Sequence, residues 1–582
     1  MDGSISTESS KKAVVTGKDD EGFDTPVLII GGGPIGLSMA IELGWRGVDC
    51  MLIEQGDGSI EHPRTGLVAV RTMELLRRWG LAPAVRACGF PEDYDLSMVF
   101  CTSLNGMLLG REAYPSMRDS PTPPETPEKK QRCPQLWLQP ILTDAALKQR
   151  HATVHFNHRF DSLVADADGV TAQVTDLQTG TARSIRARYL VGCDGAGSKV
   201  REQVGVEMQG RLLSYSINVL IDAPHLTQQH TMGDGERYLF VGPEGTWGNL
   251  TVVDGSAMWR LTVLGTDTKL DLATFDASQW VRRAMGRDDI PFTILSVIPW
   301  RRSEMLADRF VAGRVVLVGD STHTMSPTGG MGMNTGMQEV LDLGWKLEGA
   351  LHGWGGQRLI ESYGIERRPI AERNIGFSTQ NFKAWMDTPS AARVLDDTPE
   401  GARTREQLGK RLRDSTRVEW ESLGLQIGYR YENSPIVVSD GTPATPDSYS
   451  DYVPTSRPGA RAPHAWLADG RSTLDLFGRG FVLMAFAGAD EAGVDKLAKA
   501  FAARRMPFLV ERMDAEDDGL ALLYERRLVL VRPDGHVAWR GDTVGDSGFI
   551  ADVVRGAADK QDEPITKASQ EKAYRLQQET QP

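Results

Sequence analysis

The chain has 582 residues, of which 40% are hydrophobic and 25% charged, and its formal net charge at pH 7 is −13. This length predicts a sizeable core and more than one domain. The acidic balance makes nucleic acid and anionic lipid poor partners. No apolar run reaches the ~18 residues of a membrane-spanning helix, so a globular protein without a membrane segment is expected.

The five cysteines argue against a disulfide framework and against a zinc site. They are widely spaced, no two form a C-x-x-C pair, and none follows Cys193. Reduced thiols in a cytoplasmic protein, and no bound metal, are therefore expected. The first 22 residues are polar and lack the apolar segment of a signal peptide, which predicts that residues 1–24 are a disordered extension.

The predicted elements begin with a strand, a turn and a helix. Residues 27–30 (VLII) are a short apolar run typical of a buried parallel strand, and an apolar-periodic helix over about residues 35–45 follows. Residues 51–53 predict the next strand of a βαβ unit. Residues 115–133 contain five prolines and many charges, and they predict a long loop that is either a functional lid or a disordered segment.

The second half of the chain has three predicted regions. Alternating apolar and polar stretches over about residues 153–299 predict a mostly antiparallel sheet. A helix is predicted from near Asn334, with an apolar stripe at helical spacing. Residues 387–450 are polar and proline-dotted, which predicts a linker with some helix. A smaller unit follows, with a strand at residues 481–486 and a hairpin turn at residues 533–535 (PDG).

Residues 31–36 (GGGPIG) match G-x-G-x-x-G, the fingerprint of a dinucleotide-binding turn. The motif follows a strand and opens a helix, and Glu54 ends the next strand, where a carboxylate accepts hydrogen bonds from a ribose. The glycines allow a tight turn and close approach of a pyrophosphate, and the helix N-terminus attracts the phosphates. We predict a dinucleotide site, rather than a glycine-rich turn without a ligand, at Gly31, Gly33, Pro34, Ile35, Gly36 and Glu54.

Two further motifs indicate which dinucleotide is bound. Residues 188–201 (RYLVGCDGAGSKVR) resemble the DG motif of class A flavoprotein monooxygenases, the family of p-hydroxybenzoate hydroxylase and phenol hydroxylase. Residues 313–323 (GRVVLVGDSTH), continued by 327–336 (PTGGMGMNTG), resemble the GD motif of that family. The resemblance covers about residues 25–375, and the lack of a second dinucleotide fingerprint agrees with it.

The resemblance implies FAD as the bound cofactor and NAD(P)H as a transient reductant. It gives Asp320 to a ribityl hydroxyl, which fits a carboxylate at the end of a buried strand, where an unpaired charge is costly. The glycine-rich run after it can expose backbone N–H groups at a helix start, suited to a flavin carbonyl. The residues assigned to the cofactor by the resemblance are Arg64, Arg71, Gln139, Asp194, Asp320, Pro327, Gly330, Gly332, Met333 and Asn334.

Some of these assignments have a purely structural alternative. Asp194 could cap a helix together with Ser198 instead of acting on the cofactors. Arg64 and Arg71 could form surface ion pairs, although the resemblance implies that at least one of them contacts FAD. The glycines at positions 329 and 330 could form a plain turn.

By resemblance, the chain is a FAD-dependent monooxygenase that hydroxylates a small phenolic or other electron-rich aromatic substrate. NAD(P)H reduces the flavin, O2 forms a C4a-hydroperoxide, and its distal oxygen attacks the ring. The protein holds the ring, excludes water and lets the flavin swing between two positions. Epoxidation, Baeyer-Villiger ring insertion and decarboxylative hydroxylation are alternatives within the family, and a FAD-binding redox sensor or interaction protein without turnover is the alternative outside it.

The sequence departs from the family at the base that activates the substrate. Some phenol-type relatives place an Asp or His five positions before the arginine that matches Arg71, and this chain has Gly66 there. After the family's glutamine position the chain carries Glu339 and Asp342, which add charge near the cofactor. The replacement bases suggested by composition, none of them favoured, are Asp93, Tyr94, Tyr215 and His225.

The predicted fold class is α/β, with a Rossmann-like FAD-binding domain, an inserted β-rich substrate domain and a C-terminal thioredoxin-like domain. Residues 457–463 (RPGARAP) and the hairpin at residues 534–535 give the last its resemblance to the domain appended to phenol hydroxylase relatives. It has no cysteine, which excludes thiol chemistry and predicts a packing or dimer-support role, leaving a homodimer open. The predicted boundaries are 25–200 and 301–385 for the FAD-binding domain, 201–300 for the substrate domain, 386–450 for a helical linker, 451–560 for the thioredoxin-like domain and 561–582 for a polar tail.

Overall fold

The computed structural model of the chain describes residues 22–558, except for 61, 64, 65, 266, 267, 270, 390 and 514–517. The polar tail, almost all of the predicted N-terminal extension and Arg64 therefore lie outside the described residues. Among the helices of the described part, none is both long and apolar enough to cross a membrane.

The first third of the chain alternates strands and helices. Its elements are β1 (Thr25–Ile30), α1 (Pro34–Arg46), β2 (Cys50–Ile53), β3 (Leu67–Val68), α2 (Val70–Arg78), α3 (Ala82–Arg86), β4 (Met98–Cys101), β5 (Leu108–Glu112), β6 (Gln131–Arg132), α4 (Gln135–Lys148), β7 (Ala152–His155), β8 (His158–Ala165), β9 (Val170–Asp176), β10 (Ala182–Gly192) and α5 (Lys199–Gln203).

The middle of the chain is rich in strands and then becomes helical. Its elements are β11 (Met208–Asp222), β12 (Arg237–Gly242), β13 (Gly245–Val252), β14 (Met258–Leu264), α6 (Ala277–Met285), β15 (Thr293–Ala307), β16 (Val311–Ala312), β17 (Val315–Leu317), β18 (His323–Thr324), α7 (Met331–Leu351), α8 (Arg358–Met386), α9 (Pro399–Trp420) and α10 (Leu423–Ile427).

The first sheet has a parallel centre, in the order β17-β10-β1-β2-β7. The pairs of β1 with β2 and β10, of β10 with β17 and of β2 with β7 are all parallel. Five of the six residues of β1 are buried, which explains its continuous apolar sequence. Helix α1 leaves the carboxyl end of β1 and packs against α4 and α7. The predicted mixed α/β fold is confirmed, and the predicted βαβ unit is β1-α1-β2.

The second sheet has the order β18-β15-β11-β14-β13-β12-β4-β5 and is antiparallel except for the pair of β4 with β12. Its composition differs from the predicted boundaries, because β4 and β5 lie in the segment assigned to FAD binding. Strands β7 to β10, predicted as part of the antiparallel sheet, belong to the first sheet instead. Pairing partners that lie far apart along the chain, such as Met98 and Arg237, leave no trace in local periodicity.

Two helices differ from their predicted form. Helix α7 begins at Met331, three residues before the predicted start, because Gly330 adopts a left-handed φ of 64° as its N-cap. Helix α9 has 22 residues and fills much of the segment predicted as a linker.

The C-terminal unit has its own four-stranded sheet, in the order β20-β19-β21-β22. β19 is parallel to β20 and antiparallel to β21, and β21 and β22 form the predicted hairpin. The elements of the unit are β19 (Phe481–Ala485), α11 (Glu491–Ala503), β20 (Phe508–Arg512), α12 (Asp518–Tyr524), β21 (Leu528–Val531), β22 (Val537–Gly541) and α13 (Ser547–Val554).

Buried ion pairs join this unit to the rest of the chain. The guanidinium of Arg532 donates to Glu366 at 2.5 and 2.9 Å and to Asp342 at 3.0 Å. Arg461 pairs with Glu74 of α2, and both side chains are buried. Carboxylates of α2, α7 and α8 thus anchor the C-terminal unit to these three helices.

The proline-rich segment 115–133 has an ordered path across α2. Thr126 and Glu128 are buried; Thr126 Oγ1 donates to Glu74 at 2.8 Å, and Glu128 pairs with Arg77 and Arg86. The interpretation as a disordered segment is therefore wrong, because paired charges compensate for the lack of regular hydrogen bonding.

Candidate functional site

The turn between β1 and α1 requires two of its glycines and leaves open space at a third. A Cβ at Gly36 would lie 1.8 Å from the carbonyl oxygen of Gly31, and Gly31 has a φ of +106°. Around Gly33, by contrast, no described atom outside its two chain neighbours lies within 4 Å of a Cβ position. Gly33 is also the N-cap of α1 and provides no side-chain cap, so the first N–H groups of the helix are available to an anion.

Two polar side chains hydrogen-bond to the backbone of this turn. Glu54 accepts hydrogen bonds from the backbone N–H of Gly32 at 2.5 Å and of Gly56 at 2.6 Å. Gln139 of α4 donates to the carbonyl oxygen of Gly32 at 2.8 Å, and its Oε1 is buried without a hydrogen-bond partner among the described residues. A buried amide oxygen without a partner fits a polar ligand at this place. Pro34 and Ile35 are partly exposed beside it, at the start of α1.

The two motifs after β10 and β17 contact each other. Both carboxylate oxygens of Asp194 cap α5, accepting from Ser198 Oγ and from Val200 N, and burial raises the pKa of Asp194. Arg201 donates to the carbonyl oxygen of Ser321 at 3.2 Å. The capping alternative for Asp194 is thus present in the structure, and its predicted effect on the cofactors stays a prediction.

Asp320 lies in a tight turn after β17, between the buried residues Gly319 and Ser321. Contrary to expectation it is exposed, because the left-handed φ of +69° at Gly319 turns the chain out of the strand. Its Oδ1 lies 4.0 Å from the Cβ position of Gly332, in the first turn of α7. The carboxylate and the helix N-terminus therefore border the same opening.

The start of α7 presents its backbone to this opening. Gly330 is the N-cap and provides no side-chain cap; Gly332 and Met333 are partly exposed, and Pro327 is exposed in the preceding loop. The side chain of Asn334 is used by the protein itself: it accepts from Ala69 N and Thr72 Oγ1 and donates to the carbonyl oxygens of Leu67 and Gly330. Asn334 therefore ties the start of α7 to residues 67–72.

Glu339 and Asp342, which the sequence places near the cofactor, are neutralised within the protein. Glu339 accepts from Gly319 N at 2.7 Å and contacts His323 Nε2 at 3.0 Å. Asp342 binds Lys346 at 2.7 Å as well as Arg532. Neither charge is left for a ligand.

Arg71 faces the C-terminal unit. Its guanidinium donates to Glu74 at 2.7 Å and to the carbonyl oxygen of Asp534 at 2.6 Å, and its buried Nε has no partner among the described residues. The surface ion pair considered as an alternative is not what forms, because the pair is buried. Whether Arg71 contacts FAD stays a prediction.

The two sides of the second sheet differ in character. One side packs against α6 with apolar residues such as Val219, Leu261 and Leu250. The opposite side, here called the polar side, carries two rows of residues paired across β11, β14, β13 and β12: Asn218, Thr262, Asn249 and Leu239 in one row, and Leu220, Arg260, Thr251 and Arg237 in the other. Ser214 and Ser216 of β11 and Arg302 of β15 lie on the same side.

Several contacts direct the polar side toward the opening that Asp320 and the start of α7 border. Arg260 donates to the carbonyl oxygen of Pro63 at 3.0 Å, and Arg302 of β15 donates to Ser326 Oγ at 2.7 Å, next to the loop 326–330. Burial lowers the pKa of Arg260 to about 10 and that of Arg302 to about 9. Buried atoms near this side that have no hydrogen-bond partner among the described residues are Ser214 Oγ, Ser216 Oγ, Arg237 Nε, Arg302 Nε, Asn381 Oδ1 and Asn381 Nδ2.

Glu419 of α9 connects the polar side to the start of α7, and the sequence analysis missed it. Its carboxylate accepts from Gly329 N at 2.9 Å, from Arg237 Nη1 at 2.8 Å and from Trp385 Nε1 at 2.9 Å. No local signal marks it, because α9 reads as a polar linker.

Arg132 occupies the place of the missing base at Gly66. A Cβ at Gly66 would lie 2.9 Å from Arg132 Nη1, and the same nitrogen lies 3.0 Å from Glu236 Oε1. Glu236 is buried, and neither carboxylate oxygen has a hydrogen bond within the described part of the chain. The sequence analysis named neither residue.

The structure does not gather the four predicted base candidates at the polar side. Asp93 is exposed and pairs with Arg118 at 3.5 Å, and His225 is exposed. Tyr94 packs against the apolar cluster and its hydroxyl donates to the carbonyl oxygen of Gly235 at 3.4 Å; burial raises its pKa. Tyr215 alternates with Ser214 and Ser216 along β11, on the side opposite to theirs. Among the described residues, no group of three or more His, Cys, Asp or Glu could hold a metal.

Comparisons with known proteins match most of the chain. The family model described as "FAD binding domain" matches residues 24–378, and that described as "Aromatic-ring hydroxylase, C-terminal" matches residues 455–559. Tetracenomycin B2 monooxygenase-dioxygenase of Streptomyces olivaceus is 33% identical over 561 residues, covering 90% of this chain and 96% of the relative. 2,4-Dichlorophenol 6-monooxygenase of Delftia acidovorans is 32% identical over 561 residues, covering 89% and 95%.

Solved structures are similar over the same span. The rebeccamycin biosynthetic enzyme RebC with reduced flavin is 41% identical with a TM-score of 0.85, covering 92% of this chain and 99% of that one. The flavin-dependent monooxygenase PieE, in complex with FAD and substrate, is 28% identical with a TM-score of 0.82, covering 92% and 98%.

Proposed function

This chain belongs to the family of FAD-binding aromatic-ring hydroxylases, and from that premise we propose that it hydroxylates an oxygen-bearing aromatic substrate between α7 and the polar side. It is a flavin-dependent monooxygenase, as its relatives are. The observation that carries the proposal is the polar side itself. Buried polar groups without partners are costly in a folded chain, and a polar ligand would compensate them.

The residues around the opening fit FAD. Gly33 and the first N–H groups of α1 would hold the pyrophosphate, and Glu54 would accept from a ribose. The exposed carboxylate of Asp320 would bind a ribityl hydroxyl, and the N–H groups of residues 331–333 would face the polar edge of the flavin. When bound, FAD supplies the reduction of O2 with electrons from NAD(P)H, and the protein supplies orientation and charge.

The substrate that this site fits is an aromatic ring carrying hydroxyl or carboxylate oxygens. The rows of the polar side offer amide, hydroxyl and guanidinium donors at the spacing of neighbouring strands, which suits several oxygens on one rigid ring system. The opposite, apolar side of the sheet packs against α6 and offers nothing comparable.

Arg132 activates the substrate hydroxyl in place of a base at position 66. A guanidinium beside the ring favours the phenolate over the phenol, and the phenolate is the more electron-rich ring. Glu236 Oε1 lies 3.0 Å from Arg132 Nη1 and would accept the proton that leaves the hydroxyl. Family relatives of the phenol type would achieve the same result with an acid–base side chain.

The domain organisation that supports this site is part of the proposal. The first sheet and α7 hold the cofactor, the second sheet holds the substrate, and the C-terminal unit is a thioredoxin-like domain without thiol chemistry. The absence of cysteines after Cys193 and the buried pairs of Arg532 favour a packing role for that unit.

The test is anaerobic reduction of the purified, FAD-loaded protein by NADH and by NADPH, with and without a panel of phenols and aromatic carboxylates. A productive aromatic should accelerate reduction, and after admission of ¹⁸O2 the product should contain one labelled oxygen. The product mass also separates hydroxylation from decarboxylative hydroxylation. Failure of both nucleotides to reduce the flavin under every condition would leave only a FAD-binding protein.

A matched pair of variants tests the cofactor assignment. Gly33→Ala adds a Cβ into open space, so the unfolding temperature of the flavin-free protein should not change, while the affinity for FAD falls about tenfold as the pyrophosphate loses its approach. Gly36→Ala places a Cβ 1.8 Å from a carbonyl oxygen and should lower both quantities. Equal FAD affinity in Gly33→Ala and wild type would refute the assignment.

A further inference from the structure

Two of the five thiols, Cys88 and Cys133, lie next to each other beside Arg132. Cys88 follows α3, and its Sγ donates a hydrogen bond to the carbonyl oxygen of Arg132 at 3.3 Å. Cys133 directly follows Arg132, so this contact places it beside the Cys88 thiol, close enough for the two thiols to shift each other's pKa. Cys133 is buried and Cys88 is partly exposed. A small solute can therefore reach the thiol of Cys88, whereas the thiol of Cys133 is shielded from solvent.

We propose that Cys88 and Cys133 form a peroxide-oxidisable dithiol that closes to a reversible disulfide. The Cys88 thiolate attacks hydrogen peroxide, the O–O bond breaks, one oxygen stays on Sγ as a sulfenic acid, and the other takes up a proton and leaves as water. Cys133 Sγ then attacks Cys88 Sγ and forms the S–S bond. The sulfenic oxygen leaves with the Cys133 proton as a second water, so the two sulfurs together lose two electrons to the peroxide.

The environment separates the roles of the two thiols. The hydrogen bond from Cys133 and the nearby charge of Arg132 lower the pKa of Cys88 to about 7, although burial opposes them. The pKa of Cys133 is raised by the same hydrogen bond and by burial. Burial raises the pKa of Cys50, Cys101 and Cys193 as well. Since the thiolate is the reactive form, Cys88 is the thiol that peroxide attacks first.

The position of the pair gives its oxidation a consequence, and this part rests on the proposed function. Reduction of O2 without substrate hydroxylation yields hydrogen peroxide at the same site. Disulfide formation removes the hydrogen bond from Cys88 to Arg132 and ties α3 to the backbone that carries the Arg132 guanidinium. The dithiol would thus reduce turnover after uncoupled cycles and be reset by a reducing thiol.

The first experiment treats the FAD-loaded protein with reagent hydrogen peroxide, unfolds it, alkylates the free thiols and maps its peptides by mass spectrometry. The expected result is three alkylated thiols and one cross-linked peptide pair containing Cys88 and Cys133, reversed by dithiothreitol, from a starting set of five. Five alkylated thiols after treatment, or Cys88 oxidised to sulfinic acid without a cross-link, would overturn the proposal.

Variants locate the two roles. Cys133→Ser should stop at a sulfenic acid on Cys88 that reacts with dimedone, and Cys88→Ser should leave Cys133 unoxidised. Cys101→Ser, which removes a buried thiol on the neighbouring sheet, is the matched control and should still give the cross-link. Cross-linking through Cys101 or Cys50 instead would refute the pairing, and wild-type mapping decides the question even if a variant fails to fold.

A second arm separates this proposal from the proposed function. The FAD-loaded protein is given NAD(P)H and O2 without an aromatic substrate, with and without catalase. A cross-link that catalase prevents supports oxidation of the dithiol by peroxide from uncoupled turnover. A cross-link with reagent peroxide but none with NAD(P)H leaves the dithiol standing and overturns its link to turnover.

Discussion

Two regions of this molecule bury arginines, and they differ in what surrounds them. At the C-terminal interface, burial alone would lower the pKa of Arg532, but Asp534 and Glu366 outweigh it and raise the pKa well above its usual value. At the polar side, Arg237 has Glu419 as a partner, but Arg302 has no carboxylate within 4.0 Å among the described residues, and burial lowers its pKa to about 9. A structural interface supplies its own counter-charges, whereas a ligand site leaves donors for the ligand to satisfy.

The largest expected effect on stability comes from removing Arg532 from the C-terminal interface. Arg532→Met leaves Asp342, Glu366 and Asp534 buried around an apolar side chain, so the free energy of unfolding should fall by about 3 to 5 kcal/mol. Urea unfolding followed by tryptophan fluorescence measures it.

The matched control is Arg512→Met in the same unit, where Arg512 forms an exposed pair with Glu491 at 2.7 Å. Its effect should stay within about 0.5 kcal/mol. If the two variants lose the same stability, the interface does not depend on its buried charges and the comparison fails.

Arg132 stands between the two cases, with one carboxylate partner and a buried Nε that has no partner among the described residues. Removing both charges, as in Arg132→Met with Glu236→Gln, avoids an unpaired buried carboxylate. We expect kcat to fall about 100-fold at pH 7, because the phenolate loses its counter-charge. The activity should recover at alkaline pH as the substrate hydroxyl ionises in solution, which a pH profile of kcat would show.

Glu236→Gln alone and Arg132→Lys are the controls for this variant. The lysine keeps a positive charge, so it should retain the wild-type pH profile with a smaller loss of kcat. A loss that is independent of pH in the double variant would assign Arg132 to packing.

The sequence could predict the part of the site that is formed by the backbone of one short motif, but not the parts formed by side chains from distant segments. The turn at residues 31–36 was predictable because Gly31 and Gly36 contact each other within one motif. Glu419 was not, because it meets Gly329 across 90 positions and its helix has a polar sequence. Arg132 was missed for the same reason, since Gly66, where the usual base is missing, lies on another segment of the chain. Asp320 was assigned by resemblance; its exposure differs from the burial expected at the end of a buried strand, and its contact with the ribityl chain stays a prediction.

Acid should weaken the C-terminal interface through Glu74. Burial alone would raise the pKa of Glu74, but Arg461 and Arg71 outweigh it and lower the pKa to about 2, below the usual 4.5. A depressed carboxyl pKa stabilises the fold above pH 4.5, and that stability is lost as the pH falls toward 2. Between pH 6 and pH 3 the loss should be about 2 kcal/mol more in wild type than in Glu74→Gln, measured by urea unfolding.

The smallest effect on stability, and the sharpest test of the comparison, is expected at Arg302. Its guanidinium lies 4.4 Å from the ring of Phe382 and hydrogen-bonds only Ser326 among the described residues, so Arg302→Met should change the free energy of unfolding by less than about 1 kcal/mol. We expect kcat/KM to fall about tenfold instead, because a hydrogen-bond donor next to the loop 326–330 is lost. Arg211→Met, which removes an exposed partner of Glu304 on the neighbouring strand, should change neither quantity. If Arg302→Met were as unstable as Arg532→Met, buried charge would stabilise the fold in both regions. The proposal that the polar side binds a ligand would then be refuted.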